Sequence, residues 1–321
     1  MKISAFYTRT LTGSILMIAF AAALLPARAA EPYPSKPIRV IFGFNPGSTP
    51  DVMLRVLAPP LSKNLGQPIV IESRPGAGGA IAVRAVAETE PDGYMLFFGT
   101  TVGQNPLFLK EGAVVAGRDL SPVGDLGEGV FYYFVRSSLG ARSVQELIAY
   151  SKANPNKLNF GGQNPFIDLG FEMVKAKTGI TATTVPFKGP PIAEMLNGDI
   201  DIYGGSIATV LPHIQSGKLT ILLATARLDV APQAPLPAEL GLPPLPGFRY
   251  GLWGPGRLPA EIRNRLASAT AEAMKDPEVV ERWKKFGFLP LATSPDDQLR
   301  FYNSVVGFYT EAARLVNFKP Q

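Results

Sequence analysis

The hydrophobic residues in the first third of the chain alternate between two spacings. Three short apolar runs predict buried strands, at 38–44, 68–72 and 94–98. Between them, 51–65 and 80–89 carry apolar residues three or four positions apart, which predicts helices. Pro59 and Pro60 interrupt the first of these and predict a kink or an early break. Such alternation predicts an α/β fold in which helices cover a parallel sheet.

The same alternation resumes after residue 129. Further strands are predicted at 130–135, 158–160, 184–187, 200–203 and 219–224. A helix at 143–153 is led by Ser143 as its cap. The proline-rich stretch 231–246 predicts a rigid surface loop, and an extended segment follows at 248–254. The remaining segments are predicted to be helical, at 259–274, 277–286 and 294–316.

Small polar loops follow several of the predicted strands. They lie at 45–51, 99–105 and 161–164. In open α/β sheets, ligands bind beyond the carboxyl ends of the strands, so loops from two facing lobes would form a cleft. In the first loop, Gly47 allows close approach, Ser48 and Thr49 offer hydroxyls, and the helix start offers free N–H groups to an anion. A plain turn capped by Thr49 is the alternative.

The first thirty residues have the pattern of a secretion signal. A basic start is followed by an apolar run at 11–25 and by small residues at Ala27 and Ala29. We therefore expect a signal peptide over 1–29, cut after Ala29, and an exported mature chain. An uncleaved membrane anchor is the alternative, although the run is shorter than the roughly 20 apolar residues of a membrane span.

Composition excludes several kinds of chemistry. The expected mature chain has 292 residues (321 minus 29), enough for two lobes, and carries 28 basic and 26 acidic residues, which argues against a nucleic-acid partner. With no Cys and only His213, thiol, Cys-ligated metal and His-triad chemistry are excluded. Ile81 stands where a dinucleotide motif beginning at Gly76 needs its third Gly. We expect no cofactor and no metal.

Eight short segments together resemble one known family. They lie at 33–38, 66–68, 74–79, 91–94, 99–101, 185–189, 211–214 and 216–219, and they extend over nearly all of the mature chain. These motifs resemble those of the tripartite tricarboxylate transporter solute receptors, also called the Bug family. Each motif is weak alone, and the set is specific.

The resemblance implies a two-lobed, type II-like periplasmic-binding-protein fold. Each lobe would hold a mixed, mostly parallel sheet flanked by helices, with residues 30–131 and 251–321 in lobe one and 132–250 in lobe two. The resemblance further implies that a small organic acid is held in the interlobe cleft and passed to membrane permease subunits of a tripartite transporter. The alternatives are a ligand sensor that docks on a histidine kinase, and a periplasmic enzyme.

The chain departs from the family pattern at several positions. The family usually has P-G-G-x-x-D in the first loop, and here Ser48 and Pro50 change that motif. The second-lobe loop, usually rich in Ser and Gly with a His just inside the helix, is G-G-Q-N-P-F-I-D at 161–168. A common Asp aligns with Gly205 and an aromatic residue with Arg249. We therefore expect ligand capture by backbone N–H groups in lobe one to be retained and the lobe-two half of the site to differ from that of the family.

The candidate ligand contacts follow from these loops. We expect Gln163 and Asn164 to contact a polar group remote from the carboxylate. Arg249, if it faces the cleft, could pair a second carboxylate in bidentate fashion, with a solvated surface Arg as the alternative. Asp51 suits the helix dipole as well as a ligand amine. The full set is Phe44, Asn45, Gly47, Ser48, Thr49, Asp51, Thr100, Thr101, Asn105, Gly162, Gln163, Asn164, Phe187, Lys188, Ser206 and Arg249, with no catalytic residue.

Overall fold

The computed structural model describes residues 32–76, 79–100 and 114–315. The signal segment and the candidates Thr101 and Asn105 lie outside these ranges. The strands are β1 (Ile38–Phe42), β2 (Ile69–Ser73), β3 (Met95–Thr100), β4 (Leu120–Gly129), β5 (Tyr132–Arg136), β6 (Leu158–Gly162), β7 (Ala182–Pro186), β8 (Ile202–Gly205), β9 (Leu219–Ala224), β10 (Phe248–Pro255) and β11 (Phe288–Pro290). The helices are α1 (Thr49–Leu65), α2 (Ala80–Ala87), α3 (Val144–Ala153), α4 (Pro165–Thr178), α5 (Ile192–Asn197), α6 (Ile207–Gln215), α7 (Ala260–Ala273), α8 (Pro277–Lys285) and α9 (Pro295–Leu315).

The strands form two mixed sheets. The first has the order β11-β4-β10-β3-β1-β2, and the second has the order β7-β6-β8-β5-β9. Strands β1, β2 and β3 are parallel, as are β6, β7 and β8, whereas β4, β5, β9, β10 and β11 pair in antiparallel fashion. The predicted α/β fold is confirmed, and parallel and antiparallel pairs are more evenly mixed than the sequence suggests.

The chain crosses between the sheets at their carboxyl edges. Strand β4 ends at Gly129 and β5 begins at Tyr132, opposite Gly205 at the carboxyl end of β8. On this first crossing, therefore, only Val130 and Phe131 join one edge to the other. The return runs through 225–247, and the Phe131 N–H donates to Thr225 Oγ1 at 3.0 Å. Residue 250, the predicted lobe boundary, lies inside β10, which pairs with β3 and β4 of the first sheet.

Helix α9 packs against both sheets. Tyr302 lies in a core cluster with Trp253 of the first sheet. One and two turns further on, Val305 and Tyr309 are buried in the main core of the second sheet, and the Tyr309 ring meets Phe166 of α4 at 5.3 Å between ring centroids. The last helix thus packs into the hydrophobic cores on both sides of the crossings.

The structure corrects two sequence predictions about proline, the early break in α1 and the surface loop at 231–246. Helix α1 continues through Pro59 and Pro60 to Leu65, because Leu57, Leu61 and Leu65 form a buried face that outweighs the local cost of proline. The stretch 231–246 is also more than a surface loop. Its apolar residues Ala231, Ala234, Leu242 and Leu245 are buried in the two cores of the second sheet.

Strand β4 is buried although its sequence, LSPVGDLGEG, lacks an apolar pattern. Its glycines make room for side chains from other elements: a Cβ at Gly127 would lie 2.4 Å from the ring of Trp283.

We predict that Gly127→Ala lowers the free energy of unfolding by about 1–3 kcal/mol through overpacking, measured by urea denaturation. The matched control is exposed Gly307 in α9, where an added Cβ meets nothing within 4 Å, and Ala should stabilise by about 0.5–1 kcal/mol. Equal effects at both positions would contradict the packing described for β4.

Candidate functional site

The loop after β1 is a tight turn that satisfies many of its own polar groups. Gly47 has a φ of 81°, the left-handed conformation that glycine adopts without strain. The Ser48 hydroxyl donates to the Asn45 carbonyl at 2.6 Å, and the Ser73 hydroxyl from the end of β2 donates to the Phe44 carbonyl at 2.6 Å. The predicted turn is therefore present, and it is tied to the neighbouring strand end.

Asp51 anchors this turn from inside α1. Its side chain is buried, its Oδ2 accepts the Gly47 N–H at 2.7 Å, and its Oδ1 lies 2.9 Å from Arg55 Nε in an ion pair that lacks hydrogen-bond geometry. The Gly47 N–H is consequently used within the protein. Asp51 fulfils the structural role expected of a first-turn carboxylate.

The start of α1 still presents free donors. The first bond closing the helix runs from the Val52 N–H to the Ser48 carbonyl, so the N–H groups of Thr49 and Asp51 precede it. Within the described residues these two N–H groups and the exposed Thr49 hydroxyl have no hydrogen-bond partner. A helix start with unpaired N–H groups favours a negatively charged ligand.

The same edge of the first sheet carries Thr100 and an aromatic cluster. Thr100 ends β3 opposite Tyr250 of β10. The Tyr250 ring stacks on Phe98 at 5.3 Å and meets Phe44 edge-on at 6.1 Å. Burial raises the pKa of Tyr250, so its hydroxyl stays protonated at neutral pH. Phe44 and Thr100 are thus brought to one edge, as the sequence predicts.

Arg249 lies at this edge and is held by carboxylates of its own chain. Its Nε donates to Glu128 at 2.8 Å, one terminal nitrogen lies 3.4 Å from Asp125, and the guanidinium sits 3.7 Å from the ring centre of Phe301 in α9. Its side chain is 20% exposed, and that of Asp125 is fully buried, so it is not a solvated surface Arg. A ligand carboxylate would have to compete with both acids. The predicted ligand contact of Arg249 stays a prediction.

The loop after β6 forms the corresponding edge of the second sheet. Gly162 ends β6 beside Pro186 of β7, and the Phe187 N–H donates to the Gly162 carbonyl at 2.6 Å. Asn164 caps α4 by accepting the Phe166 N–H at 3.0 Å. Exposed Lys188 and Ser206 follow β7 and β8 at the same edge, and Ser206 caps α6. The structure therefore places the candidates Gly162, Gln163, Asn164, Phe187, Lys188 and Ser206 at this edge, whereas Arg249, within the predicted lobe two, lies in the first sheet.

A tyrosine that sequence reasoning missed organises this edge. The Gln163 side-chain amide donates to the buried Tyr203 hydroxyl at 2.5 Å. Gly205, where the family pattern has Asp, leaves room for it, because a Cβ there would lie 2.3 Å from the Tyr203 oxygen. Burial raises the pKa of Tyr203 to about 12, so the group is neutral. Gly205, in place of the family's Asp, was the feature of the sequence that could have pointed to Tyr203.

The second missed residue is Asp168, in the first turn of α4. Burial raises the pKa of its carboxyl group to about 7, an effect that the backbone N–H groups of Asn164 and Gln163 partly offset. Neither N–H group reaches hydrogen-bond geometry with the carboxylate, although both favour its ionised form. An acid that follows a strand-end glycine loop by a few residues is the pattern that could have revealed it.

Two mixed sheets joined at their carboxyl edges form the two-lobed fold of periplasmic binding proteins. The family model described as "Tripartite tricarboxylate transporter family receptor" matches residues 53–307. The chain belongs to this family of periplasmic solute-binding receptors. Helices long and apolar enough to cross a membrane are absent from the part of the chain that the structure describes.

Individual relatives extend along most of the chain. Protein BugT of Bordetella pertussis is 32% identical over 92% of this chain and 93% of its own length. MatC of Rhodopseudomonas palustris, solved with malate, is 25% identical with a TM-score of 0.66, covering 87% of this chain and 99% of that chain. Another R. palustris protein, solved with adipate, is 26% identical with a TM-score of 0.70, covering 90% and 100%.

Proposed function

We propose that this receptor captures a small carboxylate between the carboxyl edges of its two sheets and delivers it to a tripartite tricarboxylate-type permease. The observation that carries the proposal is the set of unpaired donors at Thr49 and Asp51, which lie on one of two edges joined by a two-residue crossing. The malate and adipate seen in the two R. palustris relatives are ligands of this class. Binding without turnover is the role we assign.

The two edges have different tasks in this proposal. At the first edge, the helix start and the Thr49 hydroxyl hold the ligand carboxylate through charge-assisted hydrogen bonds, each contributing about 1.5–3 kcal/mol. At the second edge, Gln163 Oε1, Asn164 Nδ2 and the exposed Ser206 contact the far end of the ligand. The first two atoms make no hydrogen bond within the described residues. In this proposal Arg249 stabilises the end of β4, next to the crossing, through its contacts with Glu128 and Asp125.

In this proposal the first edge belongs to the predicted lobe one and the second edge to the predicted lobe two. Lobe one would contain the first sheet and the C-terminal helices, and lobe two would contain residues from about 132 up to the start of β10. The crossing at Val130 and Phe131 is short enough to act as a hinge. Export through a signal peptide cut after Ala29 would place the receptor in the periplasm, where the ligand is collected.

Thermal unfolding of residues 30–321 against a panel of mono- and dicarboxylates, with neutral amides and sugars as controls, tests this function. A carboxylate present at 100 times its Kd should add about 2.7 kcal/mol to the free energy of unfolding and raise Tm by several degrees. Stabilisation by a neutral compound alone would contradict carboxylate capture. Consumption of a bound carboxylate would instead support an enzyme.

Exchange of the two amides of the second edge tests its part in binding. We predict that Gln163→Ala combined with Asn164→Ser weakens carboxylate binding about tenfold or more by calorimetry, because two hydrogen bonds to the ligand are lost. Serine retains an oxygen that can cap α4. Exposed Gln233→Ala is the matched control in the same half of the chain. Unchanged affinity in the double variant would remove the second edge from the site.

A further inference from the structure

Among the carboxylates at the second edge, Asp168 has the fewest hydrogen-bond and ion-pair partners within the described residues. Its side chain faces the strand-end loop: a Cβ at Gly162 would lie 2.9 Å from its Oδ2. Its Oδ1 is buried and has no hydrogen-bond partner in the described part of the chain. No Lys or Arg within those residues forms an ion pair with it. Asp51, at the corresponding helix start of the first edge, has both a backbone donor and Arg55.

The groups that face Asp168 do not neutralise it. Tyr133 of β5 and Tyr203 of β8 have pKa values raised by burial and are neutral. Glu172, one turn along α4, favours protonation of Asp168 and forms its own ion pair with Lys175 at 2.8 Å. Thr184 of β7, uncharged, contacts Glu172 at 3.3 Å. The loop itself contributes only neutral side chains, Gln163 and Asn164, and exposed Lys188 after β7 forms no ion pair with Asp168 within the described residues.

A ligand that spans the two edges would place its far end beside this carboxylate. A second carboxylate there would meet a like charge in a partly buried site, where such repulsion is strong. An amide or hydroxyl at the same place could bond to Asp168 Oδ1, Gln163 Oε1 and Asn164 Nδ2. These three atoms have no hydrogen-bond partner within the described residues. Specificity can arise from such a repulsive element as much as from attractive contacts.

We propose that Asp168 is a specificity-determining residue that excludes ligands with a carboxylate at the far end and admits those ending in an uncharged hydrogen-bonding group. The proposal rests on the proposed function, since it assumes that the first carboxylate is held at the start of α1. It narrows the ligand to a monocarboxylate with a neutral polar tail.

Acidity should modulate this selection. The pKa of Asp168 is raised to about 7 by burial, so the carboxyl group is ionised above that pH and neutral below it. Exclusion of dicarboxylates is therefore strongest near pH 8.5 and fades near pH 6, where the repulsive charge is lost. Binding of a monocarboxylate with a neutral polar tail should change little between pH 6 and pH 8.5, because that tail carries no charge for Asp168 to repel.

Matched ligand pairs of equal length test the proposal: succinate with succinamate, and adipate with adipamate. Calorimetry at pH 8.5 and pH 6 compares the wild type, Asp168→Asn and the control Glu172→Gln. In the wild type at pH 8.5, at least one monoamide should bind about tenfold more tightly than its dicarboxylate. Asp168→Asn should remove this preference while retaining monoamide binding, and Glu172→Gln should keep it.

Each other outcome counts against a stated idea. A dicarboxylate that binds the wild type at pH 8.5 as tightly as its monoamide would overturn the role of Asp168 and leave carboxylate capture standing. The same holds if Asp168→Asn leaves the preference unchanged. If no member of either pair binds any variant at either pH, and the carboxylate panel is also silent, the proposed function fails and this inference fails with it.

Discussion

Replacing Arg249 with Ala should lower the free energy of unfolding by about 3–5 kcal/mol, because it leaves two carboxylates of β4 without their partner. Asp125 is fully buried, the Glu128 side chain is 13% exposed, and Arg249 contacts both. The Phe301 ring would also lose the guanidinium that packs over it. Guanidinium denaturation at pH 8 measures the loss directly.

The pH dependence distinguishes lost charge pairing from lost packing. Burial raises the pKa of Asp125 to about 6, whereas Arg249 acts in the opposite direction. A folded-state pKa above the unfolded value means that stability from this group is lost as pH rises through about 6. The penalty of Arg249→Ala should therefore be smaller at pH 5 than at pH 8. Exposed Arg314→Ala should stay within about 0.5 kcal/mol at both pH values, and a pH-independent penalty at position 249 would contradict the charge argument.

Replacing Tyr309 with Ala should cost about 3–5 kcal/mol by removing a large buried ring. Tyr309 is 2% exposed, and its ring contacts those of Phe166 and Phe308. Because α9 begins beside the first sheet and ends in the core of the second, the change should also uncouple the two halves. Calorimetric unfolding should then show a broadened or split transition.

Thr310 provides the neighbouring control on the same helix. Its side chain is exposed, and its hydroxyl donates to the Val306 carbonyl of its own helix at 2.7 Å. Thr310→Ala should change the free energy of unfolding by less than about 0.5 kcal/mol and keep one transition. A small effect of Tyr309→Ala would mean that α9 does not stabilise the second half as described.

The sequence predicts strands well where burial is carried by the strand's own apolar residues. Strands β1 and β9 are confirmed because apolar residues dominate both of them, IRVIF and LTILLA. Strand β4 was missed because its burial is supplied from outside: Trp283 and Phe248 cover glycines that look like turn residues. The pattern of one segment cannot show which side chains from distant segments will fill its surface.

The candidate site shows the same limit. The position of the polar loops at the strand ends follows from local patterns, and the structure brings those described to the two edges. The partners of each group do not follow, because they come from distant positions. Glu128 meets Arg249 across 121 residues, and Tyr203 meets Gln163 across 40. Sequence reasoning therefore found the loops and missed which of their groups are already bonded.

The central claim is that a carboxylate is captured between the two edges, and a distance measurement tests it most directly. The chain contains no Cys, so Lys63→Cys in α1 and Lys152→Cys in α3, both exposed, can be spin-labelled without background. Pulsed electron paramagnetic resonance should show the distance between labels shortening and its distribution narrowing when a stabilising carboxylate is added. An unchanged distribution at saturating ligand would contradict capture between the two edges.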